Sequence, residues 1–135
     1  MKIVLKRKIQ PLILMAVMLL GMLPATAQAM GDVCQIGTTN YTDWGDALGA
    51  VTTGQTIKLL SSIDYNSGIS ISGKRITFDL NGFTLNVNNS SGTGLNVSSG
   101  GVNLMGQGSF NVTGYNYGVY ANNGVATVTS TSGTG

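Results

Sequence analysis

Histidine and glutamate are absent from this chain, and cysteine occurs once, at Cys34. Charged residues make up only 9% of it. Each absence excludes something. General acid–base work at neutral pH draws on His, Glu, Asp or Lys with shifted pKa values, and few of these remain. Serine is abundant, but a serine nucleophile needs a base such as His beside it. A single cysteine cannot form an internal disulfide. In an exported chain it is a free thiol, or it pairs outside this segment. A small buried residue is the simplest reading of Cys34. A lipoprotein anchor there is excluded, because Val33 precedes the cysteine and the apolar stretch ends earlier.

The sparse charge is concentrated at the start. Lys2, Lys6, Arg7 and Lys8 precede an apolar run from Pro11 to Leu23, which ends in Pro24 and the small residues Ala25, Thr26, Ala27, Gln28 and Ala29. Charged start, apolar middle and small-residue end make a secretory signal peptide, residues 1–29, with cleavage by signal peptidase after Ala27 or Ala29. The run is too short for a membrane span, which takes about 20 apolar residues. Cleavage leaves Lys58, Lys74 and Arg75 against Asp32, Asp43, Asp46, Asp64 and Asp79, a net charge of −2. The basic balance of the whole chain thus belongs to the signal and does not point to nucleic acid. The expected location is secreted or cell-surface, with no membrane span after cleavage.

What remains is rich in Gly, Asn, Ser and Thr. Disorder usually combines low hydrophobicity with high net charge, whereas here Ile, Val, Leu and Phe recur in short alternating runs that read as strands. Residues 30–54 form a lead-in. Within it Tyr41, Trp44, Ala47 or Leu48, and Val51 recur at helical spacing, predicting a short amphipathic helix from Tyr41 to Val51. Asn40 or Thr42 can cap it, Asp43 and Asp46 suit its N-terminal end, and Gly54 can stop it. Gly45 and Gly49 each weaken it by about 1 kcal/mol relative to Ala.

Residues 55–135 repeat. Gly68-Ile69-Ser70-Ile71 returns as Gly94-Leu95-Asn96-Val97 and as Gly118-Val119-Tyr120-Ala121, 26 and 24 residues apart. A second strand follows each start: Ile76-Thr77-Phe78, Val102-Asn103-Leu104 and Val125-Ala126-Thr127. A third follows in the first two: Leu85-Asn86-Val87 and Phe110-Asn111-Val112. Three short strands every 25 residues or so predict an all-β right-handed parallel β-helix, a solenoid with the lead-in helix at its N-terminal end. A sandwich of hairpins fits the turn signals but not the in-register repeat, and the Leu/Asn framework of a leucine-rich repeat is missing. The expected inward set is Ile69, Ile71, Ile76, Phe78, Leu85, Val87, Leu95, Val97, Val102, Leu104, Phe110, Val112, Val119 and Val125. Gly73, Gly82, Gly100, Gly101, Gly114 and Gly124 are placed at corners. By the same count the last third strand starts near residue 134, so the solenoid is expected to be C-terminally incomplete, an N-terminal piece of a longer protein.

The stretch from Cys34 to Asp64, with Gln55-Thr56-Ile57-Lys58-Leu59-Leu60, and the segment Ile76-Thr77-Phe78-Asp79-Leu80-Asn81-Gly82-Phe83-Thr84-Leu85 resemble pectate-lyase-like β-helix proteins, surface and secreted proteins of Gram-positive and gut bacteria among them. The resemblance covers nearly all of the mature chain, and its motifs speak for fold more than activity. It implies that the leading helix caps the open end of the core.

Chemistry is thin. Polysaccharide-cleaving enzymes need a carboxylate pair or a metal-bound carboxylate cluster. Asp43 and Asp46 read as a solvated helix face, and Asp64 and Asp79 fall at different phases of the repeat. Six to eight oxygens for calcium cannot be assembled. Lys74 and Arg75 read as a solvated corner, and Asp79-Leu80-Asn81-Gly82 as a turn. No catalytic residue, metal or cofactor is assigned. Tyr115, Tyr117 and Tyr120 are the candidate glycan contact, since exposed aromatic rings stack on sugars; tyrosines that merely cover a corner are the alternative. The expected function is a non-catalytic exported scaffold or adhesin that contacts a glycan or another host or cell-surface ligand. The alternative is the N-terminal part of a polysaccharide lyase or glycoside hydrolase with its active site beyond residue 135.

Overall fold

The computed structural model describes residues 31–134; the expected signal peptide lies outside them. The chain opens with a hairpin of β1 (Cys34–Ile36) and β2 (Thr39–Tyr41), whose tight turn uses Gly37 at φ 59°. Helix α1 (Trp44–Ala50) follows. Nine further strands come after it: β3 (Thr56–Leu59), β4 (Ile63–Tyr65), β5 (Ile69–Ser72), β6 (Arg75–Asp79), β7 (Thr84–Asn89), β8 (Leu95–Met105), β9 (Ser109–Gly114), β10 (Val119–Ala126) and β11 (Ser130–Ser132). No helix among the described residues is long and apolar enough to cross a membrane.

The helix is shorter than its apolar spacing predicts. Tyr41 pairs with Cys34 across the hairpin and so belongs to β2. The cap is Asp43, in extended backbone, whose carboxylate accepts the Asp46 N–H at 3.2 Å. Gly45 has a steric reason: a Cβ there would lie 2.9 Å from the capping Asp43 Oδ1. Gly49 has none, since a Cβ would meet nothing within 4 Å. Gly49→Ala is therefore expected to stabilise the protein by about 1 kcal/mol, read as a higher urea midpoint with an unchanged slope.

The right-handed parallel β-helix expected from the repeat is not what forms. The strands lie in two sheets, one of seven strands and one of four, and the larger is mixed: β1 runs antiparallel to both β2 and β3. The first and second strands of each repeat do not occupy separate faces. β8 runs unbroken from Leu95 to Met105 and pairs in parallel with β5 through its first half and β6 through its second. β10 then lies along β8 over nearly its whole length. The third strands make the smaller sheet, ordered β11-β9-β7-β4 and parallel throughout. A one-residue bend, at Ser99 in β8 (φ 52°) and Asn123 in β10 (φ 55°), replaces the expected corner.

The alternation is legible in the core. Of the expected inward residues, Ile69, Ile71, Ile76, Phe78, Leu85, Val87, Leu95, Val97, Val102, Phe110 and Val112 are buried. Leu104 and Val119 are only partly covered, and Val125 is 53% exposed. Both valines lie on β10, which has a strand neighbour on one side only. Three aromatic rings run through the centre. Trp44 of α1 meets Phe78 of β6 edge-on at 5.1 Å, and Phe78 meets Phe110 of β9 at 5.4 Å, which joins the helix and both sheets in one core.

The third strand of the last repeat, expected near residue 134, begins earlier. β11 starts at Ser130 opposite Asn111, a step of 19 residues where Asn86 to Asn111 is 25. Only Thr127 to Thr129 separate β10 from β11, so the arithmetic that places this strand at the end of the chain does not hold.

Candidate functional site

The three candidate tyrosines are exposed: Tyr115 by 61%, Tyr117 by 48% and Tyr120 by 46%. Tyr120 stands on β10 opposite Asn96, on the outward side that its alternation with Val119 implies. Tyr115 and Tyr117 lie in the β9–β10 connection. That loop is tied down. The Tyr115 N–H donates to the Asn89 carbonyl at 2.8 Å, and the Tyr117 carbonyl accepts the Gly94 N–H at 2.9 Å. Gly114 permits the closeness, because a Cβ there would run into the Tyr117 carbonyl oxygen. The rings of Tyr117 and Tyr120 sit 5.7 Å apart at 42°. Tyr115 does not share this ring pair. The structure thus brings two of the three together.

A second feature has no counterpart among the sequence motifs. A cleft of about 250 Å³ opens beside the start of α1, lined by Val33, Thr42, Asp43, Trp44, Ser62, Ile63, Asp64 and Tyr65. These residues come from separate segments around β1, α1 and β4, with no shared motif, so only the fold assembles them. One wall residue, Asp64, ends a hydrogen-bonded row across the smaller sheet. Asn86 Nδ2 donates to Asp64 Oδ1 at 2.9 Å, Asn111 Nδ2 to Asn86 Oδ1 at 3.0 Å, and Ser130 Oγ to Asn111 Oδ1 at 2.8 Å. The parallel register at these positions makes the row possible: Asn111 sits opposite Asn86, which sits opposite Asp64.

Lys74 is not the solvated corner that its neighbours suggest. Its Nζ donates to the carbonyls of Val51 at 3.0 Å and Leu48 at 3.4 Å. It satisfies the end of α1, where a cation also complements the helix dipole. Asp79 does form the expected turn, its Oδ1 accepting the Asn81 N–H at 3.1 Å, with Asn81 at φ 49°. Among the described residues no three metal-ligating side chains gather in one place.

Cys34 is fully buried and unpaired. Burial pushes its thiol from the ordinary 9.0 up to about 11, and the carboxylates of Asp43 and Asp32 add to the rise. The native state therefore keeps its proton where the unfolded chain loses it. Stability from this group is whole below pH 9 and lost as pH climbs from 9 to about 11. Chemical unfolding across that range should show a steeper alkaline decline in the native protein than in Cys34→Ala. Equal slopes would contradict the assignment.

No protein-family model matches the chain, and neither does any curated protein or any solved structure. Nothing in these comparisons identifies a pectate-lyase-like family.

Proposed function

We propose that this chain is an exported, non-catalytic β-sheet scaffold that contacts glycans through Tyr117 and Tyr120. The observation that carries the reading is the exposed ring pair at 5.7 Å. Tyrosine offers large amphipathic contact area with few rotatable bonds, so two adjacent rings cost little entropy to use. Their mounting supports the same reading: one ring is on a strand, and the other is on a loop pinned to its neighbours by backbone hydrogen bonds. Export rests on the pattern of residues 1–29. The residues flanking the two rings, Asn116, Gly118, Val119 and Ala121, carry no charge, which suits a neutral sugar better than a polyanion.

The test is binding of the secreted, processed protein to a glycan array. Tyr117→Ala and Tyr120→Ala should each weaken the bound glycan about tenfold or more, and Tyr115→Ala far less. Unchanged binding in the Tyr117→Ala, Tyr120→Ala double variant sinks the reading. N-terminal sequencing of the secreted product should begin at Gln28 or Met30.

A further inference from the structure

The chain has two Asn-Gly pairs, Asn81-Gly82 and Asn123-Gly124. Both asparagines lie in the left-handed region, at φ 49° and 55°. Backbone shape does not tell them apart, but their surroundings do. The first pair is held by its neighbours. Asn81 Nδ2 donates to the Leu59 carbonyl at 2.9 Å, and the Gly82 N–H donates to the Gln107 carbonyl at 2.7 Å.

The second pair lies at the bend of β10. Asn122 and Gly124 stand opposite Ser98 and Gly100 of β8, while Asn123 between them has no partner there. Its side chain is exposed and makes no hydrogen bond among the described residues. The Gly124 N–H is also turned away from β8. The Thr127 N–H reaches the Val102 carbonyl of β8 at 3.0 Å. Backbone donors alternate sides along a strand. Gly124, three residues earlier, therefore presents its N–H on the other side, where β10 has no strand neighbour among the described residues. Packing also demands a glycine here, because a Cβ at Gly124 would lie 2.7 Å from Val97 Cγ1. The fold thus places a glycine directly after an exposed, unbonded amide.

We propose that Asn123 is a site of spontaneous deamidation and that Asn81 is protected from it. The Gly124 nitrogen, its proton lost to hydroxide, attacks Cγ of Asn123. A new C–N bond forms, the Cγ–Nδ2 bond breaks, and the amide leaves as ammonia. Glycine leaves the attacking nitrogen uncrowded, having no side chain. Water then opens the five-membered succinimide at either carbonyl. One opening gives aspartate, and the other gives isoaspartate, whose main chain runs through Cβ. Either product is an anion, in a stretch from 80 to 135 that otherwise has no charged side chain. It appears on the strand that carries Tyr120. Isoaspartate also lengthens the main chain at the bend, which puts Gly124, Val125 and Ala126 out of register with Gly100, Gly101 and Val102.

The experiment keeps the processed protein in mildly alkaline buffer and follows both Asn-Gly pairs by peptide mapping and mass spectrometry. The peptide holding Asn123 should gain the mass of an amide turned to acid, mostly as isoaspartate. At Asn81 two hydrogen bonds must break first, so conversion there should be about tenfold slower or more. In guanidinium chloride the two pairs should convert at similar rates, since the difference belongs to the fold. Asn123→Ser copies Ser99, which makes the same bend in β8 at φ 52°, and should fold without converting there. Equal rates in the folded protein, or faster conversion at Asn81, would overturn the proposal. So would a rate ratio that persists in guanidinium chloride, or an Asn123 that stays intact in the folded protein while the unfolded chain converts. The comparison of the two pairs in the native protein needs no variant to fold. It involves no glycan either, so it stands or falls apart from the tyrosine pair.

Discussion

Phe78→Ala should cost about 3–5 kcal/mol. Phe78 is fully buried and is the middle ring of the Trp44–Phe78–Phe110 column, with centroids at 5.1 and 5.4 Å on its two sides. Truncation removes the transfer energy of the ring, leaves a cavity between the two sheets, and breaks both edge-on aromatic contacts, each of which is worth about 0.5–1.5 kcal/mol beyond area burial. Domains of this size have about 5–15 kcal/mol in all, so the variant should unfold at a far lower urea concentration than the native protein. The same loss should appear at Trp44, whose indole rests against Phe78, as a red-shifted and more quenchable emission. Phe78→Leu refills part of the space and should cost less than half as much. A loss below 1 kcal/mol in Phe78→Ala would mean that the column is not the centre of the core.

Phe78 and its partner Phe110 are legible in the amino-acid sequence, because period-two alternation marks inward positions whatever the strands go on to form. The repeat is legible for a related reason. Ile69, Leu95 and Val119 stand in one register, as do Ile71, Val97 and Ala121, and parallel pairing at a near-constant spacing is what such similarity encodes. What the spacing does not encode is whether two successive short strands turn a corner or continue. Gly100 and Gly101 read as a corner, yet neither has a positive φ; both lie within β8. The left-handed residue is Ser99 beside them, as Asn123 is beside Gly124. The signal is a small-residue cluster, and a sharp corner and a single-residue bend share that signal. The hairpin of β1 and β2 leaves no such trace because each strand is three residues long, too short to show alternation. The cleft is invisible in the sequence for a different reason: Asp43 and Asp64 are 21 residues apart, and each has a sufficient local role, as a helix cap and as the end of a side-chain row. The tyrosine pair can be found because Tyr117 and Tyr120 are close in sequence as well as in space.

The bend in β8 makes a demand on Gly100 that differs from positive φ. A Cβ at Gly100 would be driven into the Lys74 carbonyl oxygen and would lie 2.9 Å from the Lys74 nitrogen. Both are backbone atoms and cannot swing aside. The same carbonyl accepts the Gly101 N–H at 3.0 Å, one of the bonds that carries the sheet across the gap between β5 and β6. Lys74 cannot retreat freely either, because its ammonium holds the Val51 and Leu48 carbonyls at the end of α1. Gly100→Ala should therefore push β8 away from the β5–β6 connection and loosen the helix end with it, at a cost of about 3 kcal/mol. Gly101→Ala is the matched control. Its nearest obstacle is the Val125 carbonyl at 3.3 Å, on the edge strand β10, which has room to give by a few tenths of an ångström. It should cost about 1 kcal/mol or less. Urea unfolding of the two variants measures the difference, and hydrogen exchange should show faster opening at Gly101 and at Val51 in Gly100→Ala. Equal costs at the two glycines would mean that β8 does not pack against the Lys74 backbone.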